Sequence, residues 1–462
     1  MEILFIALYL LFIVFVGYVF ILEIDSKKSL WTYEVILLSP SIGAGIVGFL
    51  LFYLSIFGIS TIYTLSTTTG ICIFLMFLHR KRYLFQFKAI LSLFRRFFFN
   101  PSLYKIDFLL FLVIFIIFSS VITYSLVFPV YEWDAFAIWM LKAKIIFFEN
   151  QHIASSQYFF SPSLGYTHPE YPLLFPSLIS GIFTCIARID NVLGKVMYPF
   201  ILLGFICLLY SSARWKLNRT NSLLITCIGI SVPAVWQISS VGLADMPLAL
   251  FYGGSLLYII KSLQNHNNRI YLILAFTFSV FCALTKNEGF ALAIINIFVF
   301  SVFRLLAKKD KKSIKEIIVF VLLFAVIILP WHLFSADIPR FQEAYFSRIK
   351  YSIIAENIGR LKVIIPEFCK QGWNFYRWGA LLLLLICSSL WKPQIIKEKT
   401  LYITWILFFL HLFLYIFVYI ITPWDLKRLM IMSLHRILIH TVPSIILIIS
   451  LNLYFIPNYA VK

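Results

Sequence analysis

Long apolar runs separated by short polar segments dominate the chain. A helix needs about 20 apolar residues to cross the hydrocarbon core of a bilayer, because it rises about 1.5 Å per residue. The runs that reach or approach this length are residues 2–22, 35–57, 59–78, 107–128, 192–211, 221–238, 242–261, 269–285, 287–304, 316–334, 376–391, 400–421 and 437–455. The pattern therefore predicts an all-α, polytopic transmembrane protein with about 13 spans.

One further apolar segment, residues 172–187, is shorter than a span and is interrupted by Pro172, Pro176 and Gly181. We predict that it is re-entrant or lies in the membrane interface, ahead of one true span at 192–211. The alternative is that both segments cross the membrane. That alternative would move the basic segment after them to the opposite side, and it stays open.

The basic residues gather in the polar segments between spans. They concentrate at 79–105, 212–219, 304–315 and 392–399. Cytoplasmic loops carry an excess of Lys and Arg, so these segments are predicted to be cytoplasmic and the segments 129–171 and 335–375 external. This divides the chain into N-terminal spans with a basic cytoplasmic loop (1–105), a membrane core with the first external loop (106–334), and a second external loop with the C-terminal spans (335–462).

Composition excludes a water-soluble protein. Of 462 residues, 61% are hydrophobic and 13% are charged, whereas a soluble domain carries about 45–50% and about 25%. The net charge of +19 resides in loops at membrane edges, so we expect no nucleic-acid partner. The seven cysteines form no CxxC pair, which excludes a recognisable disulfide framework or thiolate metal site.

Ionisable residues beside spans are the informative positions, since each is costly inside a bilayer. The first such group follows span 107–128 in WDAFAIWMLKAK, with Asp134 and Lys142 on a predicted amphipathic helix. Trp133 and Trp139 are predicted to lie at the interface, where one edge of the ring is wet. The alternative is an interfacial acid with a lysine that reaches back to the headgroups.

The second group is THPEYP at 167–172. Its two prolines predict an extended segment, in which His168 and Glu170 point to opposite sides. The alternative is a rigid turn ahead of the short apolar segment, without a functional role.

The remaining groups stand at the ends of later spans. Asp245 begins one span and is followed by Pro247; Lys286 and Glu288 interrupt an apolar stretch; Arg436 begins the last span. The structural alternatives are a helix N-cap for Asp245, a solvated hairpin turn for Lys286 and Glu288, and a headgroup anchor for Arg436.

Taken together, two acids and several cations are predicted at one outer-leaflet location. This is what a transferase with a lipid-phosphate sugar donor requires. A carboxylate accepts the proton of the attacking hydroxyl, and cations neutralise the departing phosphate. The chain has no glycine-rich nucleotide loop, which agrees with a donor already attached to lipid.

These segments resemble the GT-C superfamily of integral-membrane glycosyltransferases, in particular the bacterial relatives of protein O-mannosyltransferases and aminoarabinose transferases (glycosyltransferase family 39-like). The resemblance rests on WDAFAIWMLKA (133–143), HPEYPLLFP (168–176), ADMPLALF (244–251), TKNEG (285–289) and TPWDLKRLMIMSLHRILIHTVP (422–443). It implies a GT-C fold with interfacial helices in the first external loop.

The resemblance also implies roles for individual residues. Asp134 is the expected general base, and Asp245 the second acid near the acceptor or a metal. Lys142, Lys286 and Arg436 are expected to bind the donor phosphate. The expected pocket residues are Trp133, Trp139, His168, Glu170, Tyr171 and Glu288. Because one Asp stands where an acidic pair is usual, a divalent metal is left open and no other cofactor is expected.

The expected activity is transfer of a hexosyl or pentosyl sugar from a polyprenyl-phosphate donor to an extracytoplasmic acceptor, which is an envelope glycolipid, a polysaccharide or a protein. The expected location is a bacterial inner membrane, with membrane lipids as surroundings. One alternative is an O-antigen polymerase or ligase, whose basic external loop would use Arg340, Arg348, Lys350, Arg360, Lys362 and Lys370. The other is a lipid or solute transporter, which predicts inverted repeats and charges near the middle of the membrane.

Overall fold

The computed structural model describes residues 1–99, 105–149, 152–307, 310–340, 345–391 and 398–455. Within these ranges every regular element is a helix. Ten of the described helices are long and apolar enough to cross a membrane, and the number is eleven if one bent helix pair counts as a span. The prediction of an all-helical, polytopic integral membrane protein is confirmed. The count of about 13 spans stays a prediction, as does the GT-C type.

The N-terminal part contains α1 (Glu2–Ile24), α2 (Thr32–Ile56), α3 (Thr61–Leu78) and α4 (Arg80–Phe99). The first two helices pack in close contact through glycines. A Cβ atom at Gly17 would lie 2.0 Å from the Ser39 carbonyl oxygen, and one at Gly43 would lie 1.8 Å from that of Ile13. Such small residues let helix backbones approach closely in a membrane. The α1–α2 pair therefore forms one unit, which packs on the core through α2.

The next helices are α5 (Lys105–Val127), a π-helical turn (Ala135–Met140), α6 (Leu141–Phe148), α7 (Gln157–Phe160) and α8 (Leu174–Ile186). Helix α8 corresponds to the short apolar segment. Its 13 residues extend about 20 Å, which is less than a bilayer core. It is buried against α1, α2 and α6. Its length agrees with the prediction of a segment that does not cross the membrane by itself.

The core is built around one helix. This helix is α12 (Asp245–Gln264). It is preceded by α9 (Met197–Arg214), α10 (Arg219–Ile230) and α11 (Pro233–Val241). All residues of α12 up to Leu263 are buried, because α9, α13, α14, α20 and α22 surround it. Pro233 begins α11, and the chain bends by 63° between α10 and α11, as expected where proline removes a helical hydrogen bond.

The C-terminal part consists of α13 (Arg269–Ala283), α14 (Asn287–Ala307), α15 (Lys311–Ala336), α16 (Tyr351–Asn357), α17 (Leu361–Gly372), α18 (Phe375–Trp378), α19 (Leu381–Leu390), α20 (Lys399–Ile421), α21 (Leu426–Ile437) and α22 (Val442–Tyr454). Two predicted spans, 269–285 and 376–391, contain the shorter helices α13 and α19. The last candidate span is continuous from Leu426, eleven residues earlier than predicted. Parts of three predicted basic segments, 100–104, 308–309 and 392–397, lie outside the described residues.

Candidate functional site

Two of the predicted acids are joined by one arginine. Nη1 of Arg436 lies 2.6 Å from Oδ2 of Asp134. Nη2 of the same side chain donates to Oδ2 of Asp245 at 3.2 Å. The structure therefore brings together three residues that the sequence placed in separate segments. Arg436 belongs to α21, Asp245 begins α12, and Asp134 directly precedes the π-helical turn.

The backbone around Gly242 explains how the two acidic segments meet. Gly242 has φ +104°, a left-handed conformation that glycine adopts at low cost. A Cβ atom at this position would lie 2.9 Å from Cβ of Ala135. The hydroxyl of Tyr198 donates to the Gly242 carbonyl at 2.6 Å. The turn before α12 is thus fixed against the residue that follows Asp134.

Asp245 does not cap its own helix. The N-cap of α12 is Ala244, and no side chain makes a capping hydrogen bond there. The structural alternative of an N-cap is therefore wrong. The fully buried Asp245 carboxylate instead accepts from Nζ of Lys286 at 3.1 Å and contacts Arg436. Its charge is offset by these two cations, as a buried charge requires.

The predicted Lys286–Glu288 pair is present, but it is not a solvated hairpin. Nζ of Lys286 lies 3.0 Å from Oε1 of Glu288. The Lys286 side chain is buried, while that of Glu288 is 27% exposed. Although burial opposes the charged form, the charges of Asp245 and Glu288 raise the pKa of Lys286. Lys286 therefore links the buried acid to a partly exposed one.

The cluster extends from the interior to the surface. Asp245 is fully buried, whereas the Asp134 side chain is 31% exposed. Of the two aspartates, Asp134 is the one that an incoming hydroxyl group can reach. Arg436 and Lys286 lie behind it, where they can attract a phosphate. We call Asp134, Asp245, Lys286, Glu288 and Arg436 the acid–cation cluster.

Two side chains next to this cluster, those of His440 and Tyr415, had no role predicted from the sequence. Nε2 of His440 lies 3.4 Å from Oδ1 of Asp245. The other ring nitrogen of His440 lies 2.5 Å from the hydroxyl of Tyr415. The available signal was a histidine within an apolar run, because ionisable residues are rare in such runs. Neither residue stands out from its local sequence otherwise.

Apart from the exposed Trp133, the remaining predicted residues of the first predicted external loop form a separate group around Lys142. Lys142 is buried, and its amine donates to the carbonyl of His168. Its Nζ lies 5.4 Å from the ring centre of Trp139 and 5.1 Å from that of Tyr171. Burial lowers the pKa of Lys142 to about 7, although the charge of Glu170 opposes this shift. Contact between Lys142 and the donor phosphate stays a prediction.

Two expectations for this loop are wrong. His168 follows a 3-10 helix and has φ +51°, so the segment turns instead of extending. Its ring consequently meets Glu170 at 3.2 Å, on the same side. Trp133 is exposed as expected, but Trp139 is buried. The helix that carries Trp139 packs inside the protein against α8 instead of lying at the interface.

The segment 335–375, predicted to be the second external loop, uses some of its basic residues for its own structure. Nε of Arg348 donates to the carbonyl of Ile421 at 2.5 Å. Nη1 of Arg360 donates to the carbonyls of Ile420 and Thr422 at 3.1 and 2.8 Å. The last carbonyls of a helix have no partner within it and favour cations. These two arginines therefore hold the loop to the end of α20.

A divalent metal does not fit the described acids. The described part of the chain contains no group of three or more His, Cys, Asp or Glu side chains placed to hold one. Both oxygens of Asp245 already contact cations, and Asp134 contacts Arg436. The chemistry of this site is therefore derived from its side chains alone.

The acid–cation cluster thus combines an accessible carboxylate with a buried lysine and a partly buried arginine at one end of an apolar helix bundle. This arrangement suits proton acceptance next to an anionic leaving group. Comparison of the chain with protein families, curated proteins and solved structures finds no match.

Proposed function

We propose that the protein is a membrane glycosyltransferase of GT-C type, which transfers a sugar from a polyprenyl-phosphate donor to an acceptor outside the cytoplasm. The observation that carries this proposal is the bridge from Arg436 to Asp134 and Asp245, at 2.6 and 3.2 Å. It joins a reachable carboxylate to a cationic interior in a protein made almost entirely of apolar helices. The envelope glycolipids, polysaccharides and proteins are the candidate acceptors.

Asp134 is the proposed general base. It contacts Arg436 and is partly exposed, so an acceptor hydroxyl can reach its second oxygen. The hydroxyl proton moves to Asp134 while the hydroxyl oxygen bonds to the anomeric carbon of the donor sugar. The bond between that carbon and the phosphate oxygen breaks, and its electron pair remains on the polyprenyl phosphate.

Arg436 and Lys286 are the proposed partners of the departing phosphate. A guanidinium group presents several donors in one plane and binds carboxylates and phosphates in the same way. A phosphate can therefore replace Asp134 on Nη1 of Arg436, while Asp245 retains Nη2. This exchange frees the base as the leaving group is neutralised.

The protein exterior near the site suits a lipid donor. Helix α5 precedes the segment of Asp134, and only 17% of the residues in its most apolar stretch are buried inside the protein. Its exposed side chains at the end nearest Asp134 include Leu126 and Val127, and the exposed Phe128 follows them. An isoprenoid chain can lie against this surface in the bilayer while its phosphate reaches the end of the bundle.

Contacts at the other end of α12 support an extracytoplasmic site. Nζ of Lys216, in the basic segment 212–219, donates to the side chain of Gln264 at 3.1 Å. Gln264 ends α12 and Asp245 begins it, and a helix of 20 residues is about 30 Å long. The acid–cation cluster and this basic segment therefore lie at opposite ends of the bundle. Basic segments favour the cytoplasm, which leaves the cluster outside.

The proposal is tested by mass analysis of envelope glycolipids from cells with and without the gene. We expect one glycan species to disappear on deletion and to return with the wild-type gene. Asp134→Asn is expected not to restore it. Glu2→Gln is the matched control, because Glu2 is an acid paired with an arginine on the surface. An unchanged glycan profile on deletion, or full restoration by Asp134→Asn, would refute the proposed function.

The side of the membrane is tested separately by cysteine labelling. Ser163 and Lys312 are both exposed, and they belong to predicted external and cytoplasmic segments. In a background without Cys369 and Cys387, the two exposed native cysteines, a membrane-impermeant maleimide should label Ser163→Cys in intact cells and Lys312→Cys only after lysis. The reverse result would place the site in the cytoplasm.

A further inference from the structure

A short chain of polar side chains lies directly below Asp245, inside the bundle. His440 and Tyr415 are both buried. Nδ1 of His440 and the hydroxyl of Tyr415 are 2.5 Å apart, and Nε2 of His440 is 3.4 Å from Oδ1 of Asp245. Polar groups in an apolar interior are retained where they are bonded to each other.

The chemistry of the partners assigns the hydrogen atoms in this chain. An ionised carboxylate can only accept a hydrogen bond, so Nε2 of His440 must carry the proton that faces Asp245. Nδ1 of the neutral ring is then an acceptor, and the hydroxyl of Tyr415 must donate to it. The inferred order is Tyr415 O–H to Nδ1, with Nε2–H facing Oδ1 of Asp245 across 3.4 Å, a contact longer than an ordinary hydrogen bond.

The backbone links this chain to the acid–cation cluster. His440 lies in the 3-10 turn Leu438–Thr441, directly after α21, which supplies Arg436. One segment therefore provides two of the groups that contact Asp245. Tyr415 lies on α20. His411 is one turn earlier on the same helix, and its ring packs against the ring of Tyr415 with ring centres 4.7 Å apart. His440 thus cannot turn without disturbing α20.

We propose that His440 is a positioning residue, held in the Nε2–H form by Tyr415. It orients Asp245 so that Asp245 holds Arg436 in reach of Asp134. This inference rests on the proposed function for its kinetic consequence, but not for the hydrogen-bond order. In metal sites, partners that orient the ligands contribute about 10- to 100-fold to metal affinity or activity, and we expect an effect of the same order here. Misplacement of a reacting group lowers turnover more than substrate binding.

Three variants in lipid nanodiscs, assayed with a polyprenyl-phosphate sugar, test the kinetic consequence. His440→Leu fills similar space without polar atoms and is expected to lower kcat about 10- to 100-fold with little change in KM. His440→Gln retains a donor and an acceptor and should recover most of the loss. Tyr415→Phe should lie between them. His332→Gln is the control, since His332 is exposed on α15.

The same variants distinguish positioning from packing. If His440 only fills space, His440→Leu is tolerated and His440→Gln is the poorer variant. That order of activities would overturn the proposal, as would a loss in His440→Gln equal to that in His440→Leu. Size-exclusion profiles and melting temperatures identify any variant that fails to fold.

Nitrogen-15 NMR of histidine-labelled protein tests the hydrogen-bond order without any activity assay. We expect an Nε2–H resonance that is absent in His440→Gln and shifts in both Tyr415→Phe and Asp245→Asn. An Nδ1–H form of His440 would overturn the inference. The expected spectrum in a wild-type protein without transferase activity would instead reject the proposed function and leave the positioning of Asp245 intact.

Discussion

Helix α12 carries an ionic cluster at each end, and the two are built differently. The acid–cation cluster surrounds Asp245 at the first residue of the helix, and the second cluster contains Lys261 in its last turn. Sixteen residues separate them along the sequence, which is about 24 Å along a helix. Both clusters lie in the same helix bundle, so a difference in their burial and pairing indicates a difference in their roles.

The cluster at Lys261 is closed. Nζ of Lys261 lies 2.5 Å from Oε1 of Glu34, and the hydroxyl of Tyr258 donates to the same oxygen at 2.8 Å. Both charged side chains are buried. The rings of Trp215 and Tyr271 lie 5.7 and 5.4 Å from Nζ. One acid and one cation thus neutralise each other behind aromatic rings and join α2 to α12.

The acid–cation cluster is open. It contains three carboxylates and two permanent cations, and two of the carboxylates, Asp134 and Glu288, reach the surface. Its arginine contacts two acids at once. A sealed pair has no partner that a substrate can reach, whereas a cluster that ends at the surface can exchange one of its partners for a substrate. The comparison therefore agrees with a structural role for one end of α12 and with the proposed chemistry at the other.

The largest expected effect is the loss of the base at the open end. Asp134→Asn should lower transfer activity about 10²- to 10⁴-fold, the usual contribution of a general base. Because Asp134 is partly exposed, the melting temperature should change little. Turnover of a polyprenyl-phosphate sugar in nanodiscs measures the effect, and Glu2→Gln should retain full activity. Activity of Asp134→Asn close to wild type would remove the base from the mechanism.

The closed end should respond in stability instead. Lys261→Met leaves Glu34 as an unpaired buried charge and should lower the free energy of unfolding by about 3–5 kcal/mol. The double variant with Glu34→Leu removes both charges and should recover most of this loss. Denaturant unfolding in detergent measures both. If the double variant is no more stable than Lys261→Met, the loss of stability does not come from an unpaired charge on Glu34.

Arg436→Lys sharpens the comparison, because it retains the charge but not the planar group that contacts two acids. We expect kcat/KM to fall about 10- to 100-fold, equivalent to about 1.5–3 kcal/mol for a hydrogen bond to a charged group. Arg188→Lys, at an arginine that pairs with Glu2 on the surface, is the matched control. An unchanged kcat/KM in Arg436→Lys would show that charge alone suffices.

The last effect is a pH dependence and concerns Lys142, a buried lysine bonded to a carbonyl. Its pKa is lowered from 10.5 to about 7 by burial. Between these values the unfolded chain holds a proton that the folded protein has released, so stability should rise with pH from about 7 to about 10.5. Lys142→Met should flatten this rise, whereas Lys312→Met, at an exposed lysine, should not. The melting temperature of each variant, measured over this pH range, tests the prediction.

Some features of the site were predictable from the sequence because they are local. Asp134, Asp245, Lys286 and Arg436 stand at or near the ends of apolar runs, where a charge is conspicuous. The turn at His168, with its left-handed backbone, was not predictable, since its carbonyl is bonded to Lys142, which lies 26 positions earlier in the sequence. The contact of Tyr415 with His440 was not predictable either, because neighbouring helices supply the two side chains.

The sequence by itself determined that this is an all-helical integral membrane protein, because long apolar runs cannot be solvated by water and must satisfy their backbone internally. It also determined which charged residues are exceptions to that rule. Only the tertiary structure decided how the exceptions pair. Asp245 and Arg436 are 191 positions apart, and packing of α12 against the turn after α21 brings them into contact. The apolar pattern fixes where helices begin and end, but the fit of their side chains decides which ends meet.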